Sequence, residues 1–129
     1  MNKFFQFNEF IELGKLFSDC TAYLIALEYF DKAIALSYLP INKERLVEAY
    51  YLRGEVKKFL NRYWESITDY SKAIELDPKN SYLYFGRGMS YEYLNQNEEA
   101  LKNLKISLKL DPNFSLALSM VEFLENKKK

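Results

Sequence analysis

The chain has 129 residues, 49% of them hydrophobic and 28% charged, which describes one folded domain with a continuous core rather than a disordered segment. Eighteen Lys and Arg balance eighteen Asp and Glu, so no global field draws the protein to nucleic acid or to an acidic membrane surface. The single cysteine excludes an internal disulfide framework, and the lack of histidine removes the usual general base and the commonest metal ligand.

No stretch reaches the length of a membrane span. The apolar run at the start is broken by Gln6, Asn8 and Glu9 and makes no signal-peptide core, so a cytoplasmic protein is expected. In chain order, residues 7–40 carry the first copy of a pattern, marked by Phe10, Leu13-Gly14, Phe17, Ala26, Phe30 and Ala33. Residues 41–46 are an insert that should lengthen the following helix at its start, with Asn42 as its cap. Residues 47–80 and 81–114 repeat the pattern at a fixed spacing: Tyr50 falls on Tyr84, Arg53-Gly54 on Arg87-Gly88, and Leu76-Asp77-Pro78 on Leu110-Asp111-Pro112, each 34 residues on. A period of this size predicts a stack of identical units.

Within each unit the apolar residues recur at three- and four-residue steps, so each unit is a helical hairpin. Asn61-Arg62 and Asn95-Gln96-Asn97 divide the two helices, with Asn97 expected as an N-cap. Asp77-Pro78 and Asp111-Pro112 stop the second helices, because proline cannot continue the hydrogen-bond ladder. Residues 115–127 read as a lone first helix, with Leu118, Val121 and Leu124 on the face that covers the last hairpin.

These residues resemble the tetratricopeptide repeat, whose pattern of an aromatic, Leu-Gly, Tyr, Ala, an aromatic and Pro is met nearly throughout. The departures are Arg53 and Arg87 for Leu, Lys57 for Tyr, Ser66 for Ala, and Tyr38 for the first proline. The resemblance implies an all-α fold: a right-handed superhelical array of three hairpin units plus a C-terminal capping helix, about seven helices. Gly14, Gly54 and Gly88 share one phase despite the cost of glycine inside a helix, which points to close approach of the partner helix near Ala26, Ser66 and Ala100. Sixteen residues separate Arg53 from Asp69 and Arg87 from Asn103, with Leu13 and Tyr29 as the equivalent in the first unit. An ion pair within the second unit is therefore expected to be structural.

Nothing reads as an enzyme, and no cofactor or metal is expected. Cys20 shares the phase of Leu60 and Leu94 and reads as a buried small hydrophobe. Glu98-Glu99 suits a helix start. By resemblance the first helices line a concave groove for a protein or peptide partner, as in a scaffold, adaptor or chaperone-like module. The groove positions are Asn8, Ile11, Lys15 and Asp19 in the first unit, Glu48, Tyr51, Glu55 and Phe59 in the second, and Tyr82, Phe85, Met89 and Tyr93 in the third, where Gly86 would add room. The change from mixed polar to apolar along the array suits an apolar segment, helical or extended, anchored on the aromatic groups.

The acidic tails of heat-shock chaperones bind a clamp of Lys, Asn and Arg in some relatives, at positions that here hold Ile11, Lys15, Glu55, Phe85 and Met89. Only Lys15 suits a carboxylate and Glu55 repels it, so such a tail is not expected. Self-association stays open as an alternative, a homodimer formed through Phe4, Phe5, Phe7, Leu24 and Ile25 at the N-terminal end, with Trp64 exposed beside it. RNA binding is disfavoured by an aromatic groove bearing Glu48, Glu55 and Glu92.

Overall fold

The computed structural model describes residues 2–128, and among them it has helices and no strand. The seven helices are α1 (Lys3–Asp19), α2 (Tyr23–Ile34), α3 (Lys43–Phe59), α4 (Tyr63–Leu76), α5 (Ser81–Tyr93), α6 (Asn97–Leu110) and α7 (Ser115–Lys127). Consecutive helices pack as antiparallel neighbours, and α3 also touches α1 and α5, so the first helices of the three hairpins form one layer. No described helix is long and apolar enough to cross a membrane.

Local chemistry sets the boundaries. Asn42 accepts hydrogen bonds from the backbone of Glu44 and Arg45, satisfying two of the free N–H groups that open α3. That helix has 17 residues against 13 in α5, so it rises about a turn further. Asn97 does not cap α6. It is the first helical residue, Gln96 holds the cap position without a side-chain bond, and Asn97 Oδ1 is buried with no partner. The hairpin turns each place one residue in the left-handed region, Thr21, Asn61 and Asn95, at φ of 58°, 62° and 59°. Helices α4 and α6 stop at Leu76 and Leu110, immediately before Asp77-Pro78 and Asp111-Pro112.

The core is strung along the array as three clusters, two at the junctions between hairpins and one where the third hairpin meets α7. Phe7, Ile11, Leu27 and Phe30 meet Ala49 and Val56 at the first. Val47, Ala73 and Leu83 form the second, and Ala100, Leu101, Leu104 and Leu124 the third. Burying each large side chain contributes roughly 1.5–3 kcal/mol.

The glycines mark the tightest approaches. A Cβ at Gly14 would lie 2.3 Å from the Phe30 ring, and one at Gly88 would lie 3.0 Å from Leu104 and 3.2 Å from the Ala100 carbonyl. Gly86 departs from expectation. It adds no room to the groove, because the Tyr70 ring fills its space, 2.6 Å from where a Cβ would stand.

Arg53 holds both oxygens of buried Asp69 at 2.8 and 2.9 Å and reaches back to Asp31 of the preceding hairpin at 3.1 Å. Arg87 does the same with Asn103 at 2.7 Å and Ser71 at 3.1 Å. These arginines therefore join each hairpin to the one before it.

Three further expectations are corrected. Cys20 is exposed, whereas Leu60 and Leu94 at the same C-cap position are half-buried, Leu60 against the first core cluster. Phe7 is buried beneath the second hairpin rather than displayed at the N-terminal end. On α7, Ala117, Met120, Val121 and Leu124 face the array, while Leu118 is exposed with Leu116 and Phe123.

Candidate partner-binding groove

The layer of first helices forms one face of the molecule, and a hollow lies in it between the N-terminal halves of α3 and α5. This concavity has a volume of about 540 Å³. Its apolar lining is Val47, Tyr51, Tyr82 and Leu83, and its polar lining is Lys43, Glu44, Glu48, Asp77 and Asn80. Of the residues expected in the groove, the hollow gathers Glu48, Tyr51 and Tyr82. Lys43, Glu44, Val47, Asp77, Asn80 and Leu83 were missed. Lys43 and Glu44 belong to the extra turn of α3, so the insert before Val47 was the signal that could have found them.

The floor is held from behind. Tyr70 on α4 is fully buried, packs 6.2 Å from Tyr51 between ring centres, and donates its hydroxyl to Glu55. Glu55 also accepts from Lys58 at 3.2 Å. Burial, then the Glu55 carboxylate and Tyr82, push the Tyr51 hydroxyl up to about 12. Tyr70 is raised further, by burial first and then by Glu55. Both rings are neutral at physiological pH.

The other expected positions separate into three groups. Ile11 is fully buried and offers nothing to a partner. It belongs to the first core cluster with Phe7, Phe30, Ala49 and Val56, and between the same two first helices Arg45 meets Asn8 at 3.0 Å and Glu12 at 3.9 Å, and Glu48 meets Lys15 at 3.7 Å. Lys15 is thereby shared between Glu48 and Glu12, while Glu48 also accepts from Arg45. Asn8 and Asp19 are exposed, at opposite ends of α1.

Phe59 and Tyr93 lie at the C-terminal ends of their helices, away from the hollow. Each stacks on the first residue of a preceding second helix, Phe59 on Tyr23 and Tyr93 on Tyr63, both at 5.0 Å. Phe85 and Met89 are half-buried against the cluster capped by Met120 and Val121 of α7. Phe85 also packs at 4.8 Å on Phe114, whose ring lies 5.1 Å from Tyr82. Tyr82 remains 59% exposed, the most open aromatic ring of the hollow. Among the described residues no group of three or more His, Cys, Asp or Glu is placed to hold a metal ion.

Stacked helical hairpins with a layer of first helices turned to one face define a helical-repeat solenoid. The particular repeat is shown by family models named Tetratricopeptide repeat, which match residues 47–80 and 70–102. Residues 47–102 carry tetratricopeptide repeats, and the chain as a whole has the fold of such domains.

Similar solved structures share the fold at low identity. The Arabidopsis OM64 TPR domain is 21% identical with a TM-score of 0.89, covering 98% of this chain and 99% of that one. The Hsp90 co-chaperone Cns1 from Saccharomyces cerevisiae is 24% identical with a TM-score of 0.89, over 95% of this chain and 39% of that one. The second TPR domain of human RPAP3, in complex with the HSP70 peptide SGPTIEEVD, is 21% identical with a TM-score of 0.83, over 94% and 96%. No curated protein sequence matches the chain.

Proposed function

We propose that the chain is a non-catalytic protein–protein interaction module that holds a segment of a partner in the hollow between α3 and α5. The observation that carries this reading is the hollow itself, lined by Tyr51 and Tyr82, with Tyr51 packed from behind on the buried Tyr70. Aromatic rings fixed by packing supply contact area with little entropy to lose, and such residues dominate measured binding energies. The apolar character continues through Phe85 and Met89 to exposed Leu116 and Phe123, which suits a segment with apolar anchors.

The human RPAP3 domain, of the same fold, was solved with an acidic chaperone peptide, so the fold gives no ground for refusing such tails here. The ground is the side chains: Lys15 is shared between two carboxylates, and Glu44, Glu48 and Asp77 line the hollow. The test is a selection of displayed random peptides on the parent chain, with the winners titrated against Tyr82→Ala and Tyr51→Ala. Tyr82 is the cleaner probe than Phe85, whose ring supports the third core cluster. Loss of binding with unchanged helical circular dichroism is expected. Full binding by both variants overturns the reading.

A second reading is self-association. Phe5, Leu16, Leu24 and Ile25 are exposed on the first hairpin, and Leu24 is 71% open. Static light scattering over a concentration series, repeated with Leu24→Glu, separates a dimer that this variant dissolves from a monomer that it leaves alone.

A further inference from the structure

The hollow holds aromatic faces that the chain's own cations leave free. Elsewhere the protein places cations over its rings: Arg53 lies 5.9 Å from the centre of Tyr50, Arg87 lies 5.6 Å from Tyr84, and Lys58 lies 5.6 Å from Phe59. Among the described residues none lies over Tyr51 or Tyr82 in this way.

The charges around these two rings point in the same direction. Glu48 is already balanced by Arg45 and Lys15. Among the described residues Glu44 has no ion-pair partner, and the Asp77 carboxylate accepts from the Asn80 side chain, at 3.3 Å, with no cation on it. One cation, Lys43, shares the lining with these two uncompensated carboxylates. Half-exposed π faces beside unbalanced carboxylates, in a hollow large enough for a side chain, attract a positive group and repel a negative one.

We infer that the hollow takes a cationic side chain of the partner segment, an arginine or lysine seated against Tyr51 and Tyr82 and balanced by Glu44 and Asp77. The inference rests on the groove reading above and gives its occupant a sign. It assigns the apolar part of the segment to the α5–α7 end and the basic anchor to the α3–α5 end. An acidic tail has the opposite charge at the anchor.

The experiment uses peptides of about twelve residues selected from a random display library on the full chain. Enrichment of Arg or Lys at one register position is expected. Synthetic peptides carrying arginine, norleucine or glutamate there are then titrated by fluorescence anisotropy. Replacing arginine with norleucine should weaken binding to the parent about three- to thirtyfold. That difference should shrink toward zero on a Glu44→Gln, Tyr82→Leu double variant, which keeps the apolar area but loses the π face and the charge. Both substituted residues are exposed, and circular dichroism checks the fold.

Selected peptides with no basic position, or with an acidic one, whose binding still falls on Tyr82→Ala, overturn the cationic anchor and leave the groove standing. Peptides indifferent to both Tyr51→Ala and Tyr82→Ala, or no peptides at all, overturn the groove reading and the anchor with it.

Discussion

Tyr70 and Gly86 show how one residue pair shapes the groove. Phe30, Tyr70 and Leu104 hold the same position in successive hairpins and are all buried. In the first and third core clusters the next first helix answers with Leu52 and Met120, whereas Gly86 answers Tyr70. The longest side chain thus meets the smallest, which lets the Tyr70 hydroxyl reach Glu55 at the groove floor. Gly86→Ala should therefore destabilise by about 1–3 kcal/mol in thermal or urea denaturation, from overpacking. Gly54→Ala, whose Cβ would stand 3.2 Å from Tyr70, should be close to neutral, since helix propensity returns up to about 1 kcal/mol. Adding Tyr70→Leu to Gly86→Ala should recover part of the loss, and equal costs for the two alanine variants would contradict this packing.

The same tyrosines give a pH dependence. Tyr51 and Tyr70 hold their protons more tightly folded than unfolded. Their contribution is full below about pH 10 and is lost as pH rises toward and beyond 12, because the unfolded chain releases protons first. Tyr51 accounts for at most about 2–3 kcal/mol of that fall. Urea titrations across this range should show a shallower decline for Tyr51→Phe than for the parent.

At the scale of the element, the turns close each hairpin and the arginine latches tie it to the one before. Asn61 and Asn95 tolerate the left-handed conformation, but Thr21 is β-branched and strained there. Thr21→Asn should raise stability by about 0.5–1 kcal/mol, read as an upward shift of the urea midpoint. Asp69→Leu should cost about 3–5 kcal/mol, because Arg53 and the largely buried Lys57, 3.1 Å away, would lose their counter-charge. A loss under 1 kcal/mol would make the latch a surface pair.

The Arg53–Asp69 pair, the Asn42 cap and the two proline stops were legible because each depends on residues a fixed short distance apart in the chain. Ile11 and Gly86 were not. Their phases are those of groove residues, but Ile11 is buried in a cluster shared with Ala49 and Val56 of the next hairpin, and the space at Gly86 is filled by Tyr70 of the preceding hairpin. Both effects come from a neighbouring unit, and a register read within one repeat does not contain them. Cys20 failed for a related reason: its phase matches half-buried leucines, yet among the described residues no other hairpin packs on that side of it.

At the scale of the whole molecule, the stack makes a face whose character changes along its length. The α1–α3 end is closed by the charges of Lys15, Arg45, Glu12 and Glu48. The hollow opens between α3 and α5, and exposed apolar groups continue onto α7. The repeat made the array readable from the sequence, while the hollow takes Lys43 and Glu44 of its lining from the longer α3, which appears only when the helices are stacked. The most direct test of the account is to map amide chemical shifts of the labelled chain as a selected peptide is added. The largest changes should fall on α3 and α5 around Val47, Tyr51, Tyr82 and Leu83. Changes confined to the second helices, around Leu24 and Trp64, would contradict it.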